Sequence, residues 1–437
     1  MEWSDQSGKL GAKLRYLIIG LVLLLVGCGE QAGEQTSAAA VIEVWAHAGQ
    51  AAERQVLERQ AARFNASQKA IRVRLTFIPE QSYNAQIQAA AVAGDLPDAL
   101  EFDGPFLFNY VWQGHLQSLD GLLSEETRQE LLPSIVSQGL YLGHFFGVGT
   151  FDSGLGLYAR RSVLEAAGVR IPADPEDAWS IDEFSGALES LASRDPDGMV
   201  LDLKLNYSGE WFTYAFSPLL QSAGGDLIDR VSYQTANGVL NGPHAVAAMR
   251  KLQNWFVHGY VDPNVDDAAF INGRVALSWA GHWEYPRYAA AFGDDLALLP
   301  LPDLGRGSRT GQGSWVWGIT RHSGNQQAAA RFLEFLLEPE EVLAMAAANG
   351  AVPATRPAIE RSPLYGASGA LRLFSRQLQG GFSVPRPKTP AYPVITSAFQ
   401  QAIADIRNEG DIQAALDKAA AAIEQDIHDN KGYPLPD

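Results

Sequence analysis

The strongest constraint on this chain is an alternation of period-two and helical apolar patterns that starts near residue 40. Residues 40–44 read as a strand and 51–65 as an amphipathic helix. A second strand spans 71–78 and stops at Pro79, a helix covers 83–93, and a short strand lies at 99–102. Strands alternating with helices at this spacing form βαβ units, so the expectation is an α/β chain with a mainly parallel sheet. The pattern restarts after Asp152. A strand at 155–158 is followed by a short helix at 161–167 closed by Gly168, and by a longer one at 180–193 with Ser180 as N-cap. Helices over 243–257, 325–337 and 412–427 complete the series, and no internal repeat is visible. Asp195-Pro196-Asp197-Gly198 has turn chemistry but not the spacing of a calcium-binding loop.

The N-terminal segment points to a location. Lys9, Lys13 and Arg15 precede an apolar run from Tyr16 to Val26, which ends at Leu25-Val26-Gly27-Cys28. That run is shorter than the roughly 20 residues a spanning helix needs, and it has the size of a secretory signal's apolar core. The tetrad resembles the bacterial lipobox, in which the cysteine is lipidated and becomes the new N-terminus. Cys28 is the only cysteine of the 437 residues, so no internal disulfide competes for it. The expected organisation is a lipoprotein signal over 1–28 and a flexible tether over 29–40, small and polar in composition. The remaining chain is long enough for two domains. A net charge of −17, with 50 acidic against 33 basic residues, argues strongly against a nucleic-acid partner, which would need a basic face.

Several motifs then fall in a recognisable order. Ala93-Gly94-Asp95-Leu96-Pro97-Asp98 closes a helix and opens a strand. It resembles the AGDLPD signature of the extracellular solute-binding proteins of sugar importers, relatives of the maltose-binding protein. Val44-Trp45-Ala46-His47, Gly156-Leu157-Tyr158-Ala159-Arg160-Arg161 and Trp179-Ser180-Ile181-Asp182-Glu183-Phe184 are similar to later landmarks of that family. So are Gln221-Ser222-Ala223-Gly224-Gly225, the stretch Ala269 to Leu277, and Gly281-His282-Trp283. Gly147-Val148-Gly149 departs from it, because relatives usually carry a proline there. The resemblance covers about residues 40 to 430. It implies a two-lobed periplasmic-binding-protein fold of the type II kind, whose hinges close the lobes around a ligand. It places lobe one at 41–151 and 316–360, and lobe two at 152–315 and 361–437.

A sugar offers apolar C–H faces and a rim of hydroxyls, so its site needs aromatic platforms and carboxylates, amides or arginines aimed at the rim. Residues of this kind are Trp45, Trp211 and Trp283 at element ends, Trp315 in the second crossover, and the carboxylates Glu80 and Asp103 just past strands with Asp152 at the first crossover. Arg386 lies in an extended stretch where the resemblance implies a cleft arginine. Each has a plainer reading, as core or rim packing for a tryptophan and as a solvated surface charge for the rest. His47 could donate to a hydroxyl or be structural. No H-E-x-x-H, G-x-S-x-G or Walker motif is present, and nothing asks for a cofactor or a metal. The sequence is therefore read as a monomeric, non-enzymatic capture protein held on the outer side of a bacterial membrane through Cys28. It would take a mono- or oligosaccharide and deliver it to the permease of an ABC importer. A phosphorylated polyol such as glycerol 3-phosphate, gripped by Arg386, is the alternative ligand. A secreted carbohydrate-active enzyme remains the rival class, since a carboxylate pair is never excluded by sequence.

Overall fold

The computed structural model describes residues 39–366 and 368–434. Cys28, the expected signal segment and nearly all of the tether lie outside the described residues. Two five-stranded sheets organise the chain. In the first, the strands run in the order Ile71–Ile78, Ala40–His47, Ala99–Asp103, Trp315–Thr320 and Leu116–Gln117. In the second the order is Val261–Asp262, Leu201–Asp202, Leu277–Gly281, Leu155–Arg160 and Leu296–Leu299.

The expectation of mainly parallel sheets needs correcting. In each sheet two pairings are parallel and two antiparallel, because a strand arriving from the other lobe is inserted among the βαβ strands. Trp315–Thr320 enters the first sheet against Ala99–Asp103, and Leu155–Arg160 enters the second against Leu277–Gly281. A strand that comes straight across a hinge has no crossover helix to turn it round, so it runs antiparallel to its neighbour.

Each sheet carries its own core. On one face of the first, Val56, Leu57 and Phe64 of the Ala51–Ser67 helix meet Phe332 and Leu333 of the Gln326–Leu336 helix. On the other, Tyr83 and Ile87 pack with Phe102, Phe106 and Leu107. The second sheet is covered by the helices Ile181–Ala192, Trp211–Ala223, Pro243–Val257, Tyr392–Arg407 and Ile412–Asp429, which share one core. No helix among the described residues is long and apolar enough to cross a membrane.

Local sequence chemistry explains several boundaries. Ser180 accepts from the Glu183 amide while the Glu183 carboxylate accepts from the Ser180 amide, a reciprocal cap at the start of Ile181–Ala192. Gly94 ends the Glu80–Ala93 helix with φ 75°, a left-handed value that glycine adopts without a side-chain clash. The aspartate that ends the AGDLPD motif is structural: Asp98 accepts from the Glu43 amide at 2.9 Å and from the Ser323 hydroxyl at 2.6 Å. It joins the first strand to the turn after Trp315–Thr320.

Three segments of the chain meet at Asp152. The short strand Phe151–Asp152 pairs antiparallel with Val352–Pro353. The Asp152 carboxylate accepts from the Ser153 amide at 2.8 Å and from the Gly313 amide at 3.3 Å, in the second crossing. Its side chain is fully buried, and burial raises its pKa. Replacing a buried acceptor leaves its donors unpaired, so Asp152→Ala should cost about 1–3 kcal/mol in a denaturant titration. Asp152→Asn keeps an acceptor and should recover most of that loss.

Candidate ligand cleft between the lobes

A cavity of about 600 Å³ lies where the two sheets face each other. Its walls come from the carboxyl ends of strands and the segments just after them, the general position for ligands in α/β sheets. The first lobe supplies His47, Glu53, Glu80, Tyr83 and Asp103, and the second supplies Asn206, Tyr207, Glu210, Trp211, Asp267 and Trp283. The crossing segments supply Phe151, Ser153, Gly313, Ser314 and Trp315 to the floor, beside Arg386.

Six of the residues singled out from sequence line this cavity: Glu80, Asp103, Trp211, Trp283, Trp315 and Arg386. Trp45 and Asp152 do not. The first strand runs on to His47, so Trp45 sits one pleat back from the rim and packs on the first-lobe core beside Tyr83. Asp152 lies beneath the floor at the crossing described above.

The tryptophans differ in what they offer. Trp211 is only 5% exposed, donates its indole N–H to the Leu203 carbonyl at 3.0 Å and belongs to the second-lobe core. Trp283 is half-buried, stands edge-on to Trp211 at 6.0 Å and donates to the Tyr207 hydroxyl at 3.3 Å. Its ring lies over Gly281, where an added Cβ would come within 2.1 Å of it. The Gly281-His282-Trp283 motif is thus a glycine seat for a cleft aromatic. Trp315 is stacked on His47, with ring centroids 3.8 Å apart and planes 3° from parallel, and Tyr83 meets it edge-on at 5.4 Å.

Charge is concentrated at the floor. Arg386 forks onto both oxygens of Asp103, at 2.8 and 2.5 Å, and reaches Glu210 at 2.9 Å. Tyr392 also donates to Glu210, and the guanidinium lies 5.0 Å over the Tyr214 ring. Tyr214 in turn shares a 2.8 Å hydroxyl bond with Ser153. Burial raises the pKa of Glu210; the Arg386 charge opposes this and the Asp103 charge adds to it. This arginine already serves two carboxylates from opposite lobes. That pairing is invisible in the sequence, because Asp103, Glu210 and Arg386 are remote from one another along the chain.

Under the second lobe, Lys204 is 1% exposed and contacts Asp267 at 3.0 Å and Glu284 at 3.3 Å. Glu284 also accepts from Tyr207 at 2.7 Å. The buried lysine therefore orders two cavity residues, Asp267 and Tyr207.

The two cleft histidines are shifted in opposite directions. Burial disfavours the cation of His47, but the Glu101 carboxylate at 2.7 Å outweighs it, with help from Glu53 and Glu80, and lifts its pKa to about 9. His282 has no such partner; burial lowers it to about 4 against a 2.7 Å contact with the Asn349 carbonyl. Burial also raises Glu80, as do the nearby charges of Glu53 and Asp103, while His47 opposes them.

These pairs lead to two expected outcomes. Arg386→Gln leaves two carboxylates facing each other without their shared cation, and should cost about 3–5 kcal/mol in chemical denaturation. For His47, a raised folded pKa means stability that is fully present below the unfolded value and lost as pH rises through the folded one. The melting-temperature advantage of the unmodified protein over His47→Gln should therefore shrink between pH 6.5 and about 9.

Comparison with known proteins agrees with this geometry. An uncharacterized lipoprotein from the oleD 5′ region of Streptomyces antibioticus is 22% identical over 415 residues, covering 89% of each chain. The acarbose-binding GacH receptor of Streptomyces glaucescens superposes with a TM-score of 0.76 at 20% identity, over 90% of this chain and 98% of that one. A Listeria monocytogenes substrate-binding protein in complex with cycloalternan gives 0.75 at 17%, over 89% and 99%. At such identities the likeness establishes the two-lobed fold. The model for bacterial extracellular solute-binding proteins matches residues 59–371, most of the chain, and the protein belongs to that family.

Proposed function

We propose that this protein captures a mono- or oligosaccharide outside the cytoplasm and hands it to the permease of an ABC importer. The observation that carries this reading is the interlobe cavity, in which half-buried aromatic rings stand beside carboxylates and amides drawn from both lobes. Trp283 and Trp315, which both line the cavity, suit the C–H face of a pyranose, while Asp103, Glu80, Asn206 and Asp267 suit its hydroxyls. Trp211 contributes an edge and mainly supports Trp283. Acarbose and cycloalternan, the ligands of the two structural relatives, are carbohydrates and fit this choice.

The floor disfavours the phosphorylated polyol. Both terminal nitrogens of Arg386 are engaged by carboxylates, and Glu53, Glu80, Asp103, Glu210 and Asp267 make the cavity wall acidic. An anion would enter against that field. The family and the arrangement support capture rather than catalysis. The proposal extends to anchoring of a monomer through Cys28, and to lobes bounded at 41–151 with 316–360 and at 152–315 with 361–437.

A thermal-shift screen over neutral saccharides, polyols and phosphorylated polyols tests the reading. A matching neutral sugar at 100 times its Kd should stabilise the protein by about 2.7 kcal/mol. Stabilisation by phosphorylated polyols alone, or by no saccharide, would overturn it. Trp283→Ala should abolish the shift while lowering ligand-free stability less than Trp211→Ala, which opens the second-lobe core and should cost about 3–5 kcal/mol.

A further inference from the structure

Lys204 lies in the left-handed region at φ 53°, a conformation that glycine adopts without a clash and a lysine does not. Its side chain is enclosed all the same, with the ammonium 3.0 Å from Asp267, 3.3 Å from Glu284 and 3.6 Å from Asp202. The Lys204 amide donates to Asp202 at 2.7 Å, which holds the turn. Strained backbone of this kind persists where the surroundings over-determine it, and such positions gather at functional sites. The groups that Lys204 faces lead to the cavity.

The contacts that start from Lys204 have a single polarity. An ammonium and an indole N–H only donate, and a carboxylate only accepts. Glu284 faces Lys204, so the Tyr207 hydroxyl 2.7 Å away directs its proton to Glu284. The Tyr207 oxygen is then left to accept the Trp283 indole N–H at 3.3 Å. Burial raises the Tyr207 phenol well above its ordinary pKa and the Glu284 charge adds to this, so the proton stays in place. The Tyr207 ring is fixed as well, with the Lys204 ammonium 5.6 Å from its centroid and Trp211 edge-on at 5.2 Å. Tyr207 and Trp283 line the cavity, and the lysine stands behind them.

We infer that Tyr207 is a positioning residue for capture: its hydroxyl, given one polarity by Lys204 and Glu284, holds the Trp283 ring at the angle at which a ligand stacks on it. This rests on the saccharide reading above and adds to it a buried relay that sets the platform. A phenylalanine at 207 keeps the ring and its packing but releases the indole. A platform that is free to turn must be immobilised when the ligand arrives, and affinity falls by that cost.

Two measurements on the full-length protein test the relay. In protein labelled with nitrogen-15 tryptophan, Trp283→Phe identifies the Trp283 indole N–H resonance. Without any ligand, that resonance should move in Tyr207→Phe, which removes the acceptor. It should also move in Glu284→Gln, whose amide donates as well as accepts and so ends the single polarity. A resonance unmoved in either variant overturns the relay. The second measurement is calorimetric titration with maltotriose, mannobiose, tagatose and acarbose. For the sugar that binds, Tyr207→Phe should weaken affinity about three- to tenfold. With Phe already at 283 no indole N–H is left to hold, and the same change should cost less than about twofold. An equal loss in both backgrounds means that Tyr207 acts without Trp283, which overturns the relay and leaves the saccharide reading standing. Failure of all these sugars to bind counts against the saccharide reading, and the resonance still decides the relay.

Discussion

The cleft depends on one shared cation. Arg386 holds Asp103 from the end of a first-lobe strand and Glu210 from the start of a second-lobe helix. Taking three charged groups out of water is costly, and the cost is offset only because the guanidinium's planar fork meets both carboxylates in good geometry. The contact joins the two walls, engaging both oxygens of Asp103 and one of Glu210. A hydroxyl entering the cavity would meet acceptors that are already oriented.

The same device recurs along the walls. Lys204 orders Asp267, and through Glu284 it orders Tyr207, from beneath the second lobe. His47, paired with Glu101, lies flat against Trp315 in the cavity wall. In each case a buried cation is placed against a group that faces the cavity. The fixed partners keep that group in one rotamer, which lowers the entropic cost of binding. His282, without a carboxylate partner, is lowered by burial and stands edge-on to Phe151.

Much of the fold could be read from local chemistry. Ser180 with Glu183 announces a helix start, and the helix Pro243–Val257 falls where the apolar period places it. Strand direction could not be read, because Trp315–Thr320 pairs with strands far away in sequence and its own residues do not record which way the partner runs. The site was legible in part. Tryptophans and carboxylates at element ends were visible, but Tyr207, Tyr214 and Glu210 carry no local signal and become cavity residues only through long-range packing. Arg386 was visible as a cation, and its two carboxylate partners were not. Trp45 shows the limit from the other side: moving a strand end by a few residues changes which side chain stands at the rim.

The inserted strand also has a consequence in time. Asp103 and Trp315 are paired neighbours in the first sheet, yet most of the second lobe is threaded between them. The first sheet cannot be completed until that intervening stretch has been synthesised and the chain has come back. Pairings of such long separation slow folding, because the loop must close before any contact rewards it. A polypeptide that must cross a membrane before it folds gains from that delay, since its first half cannot lock into a finished sheet while the second is still being made.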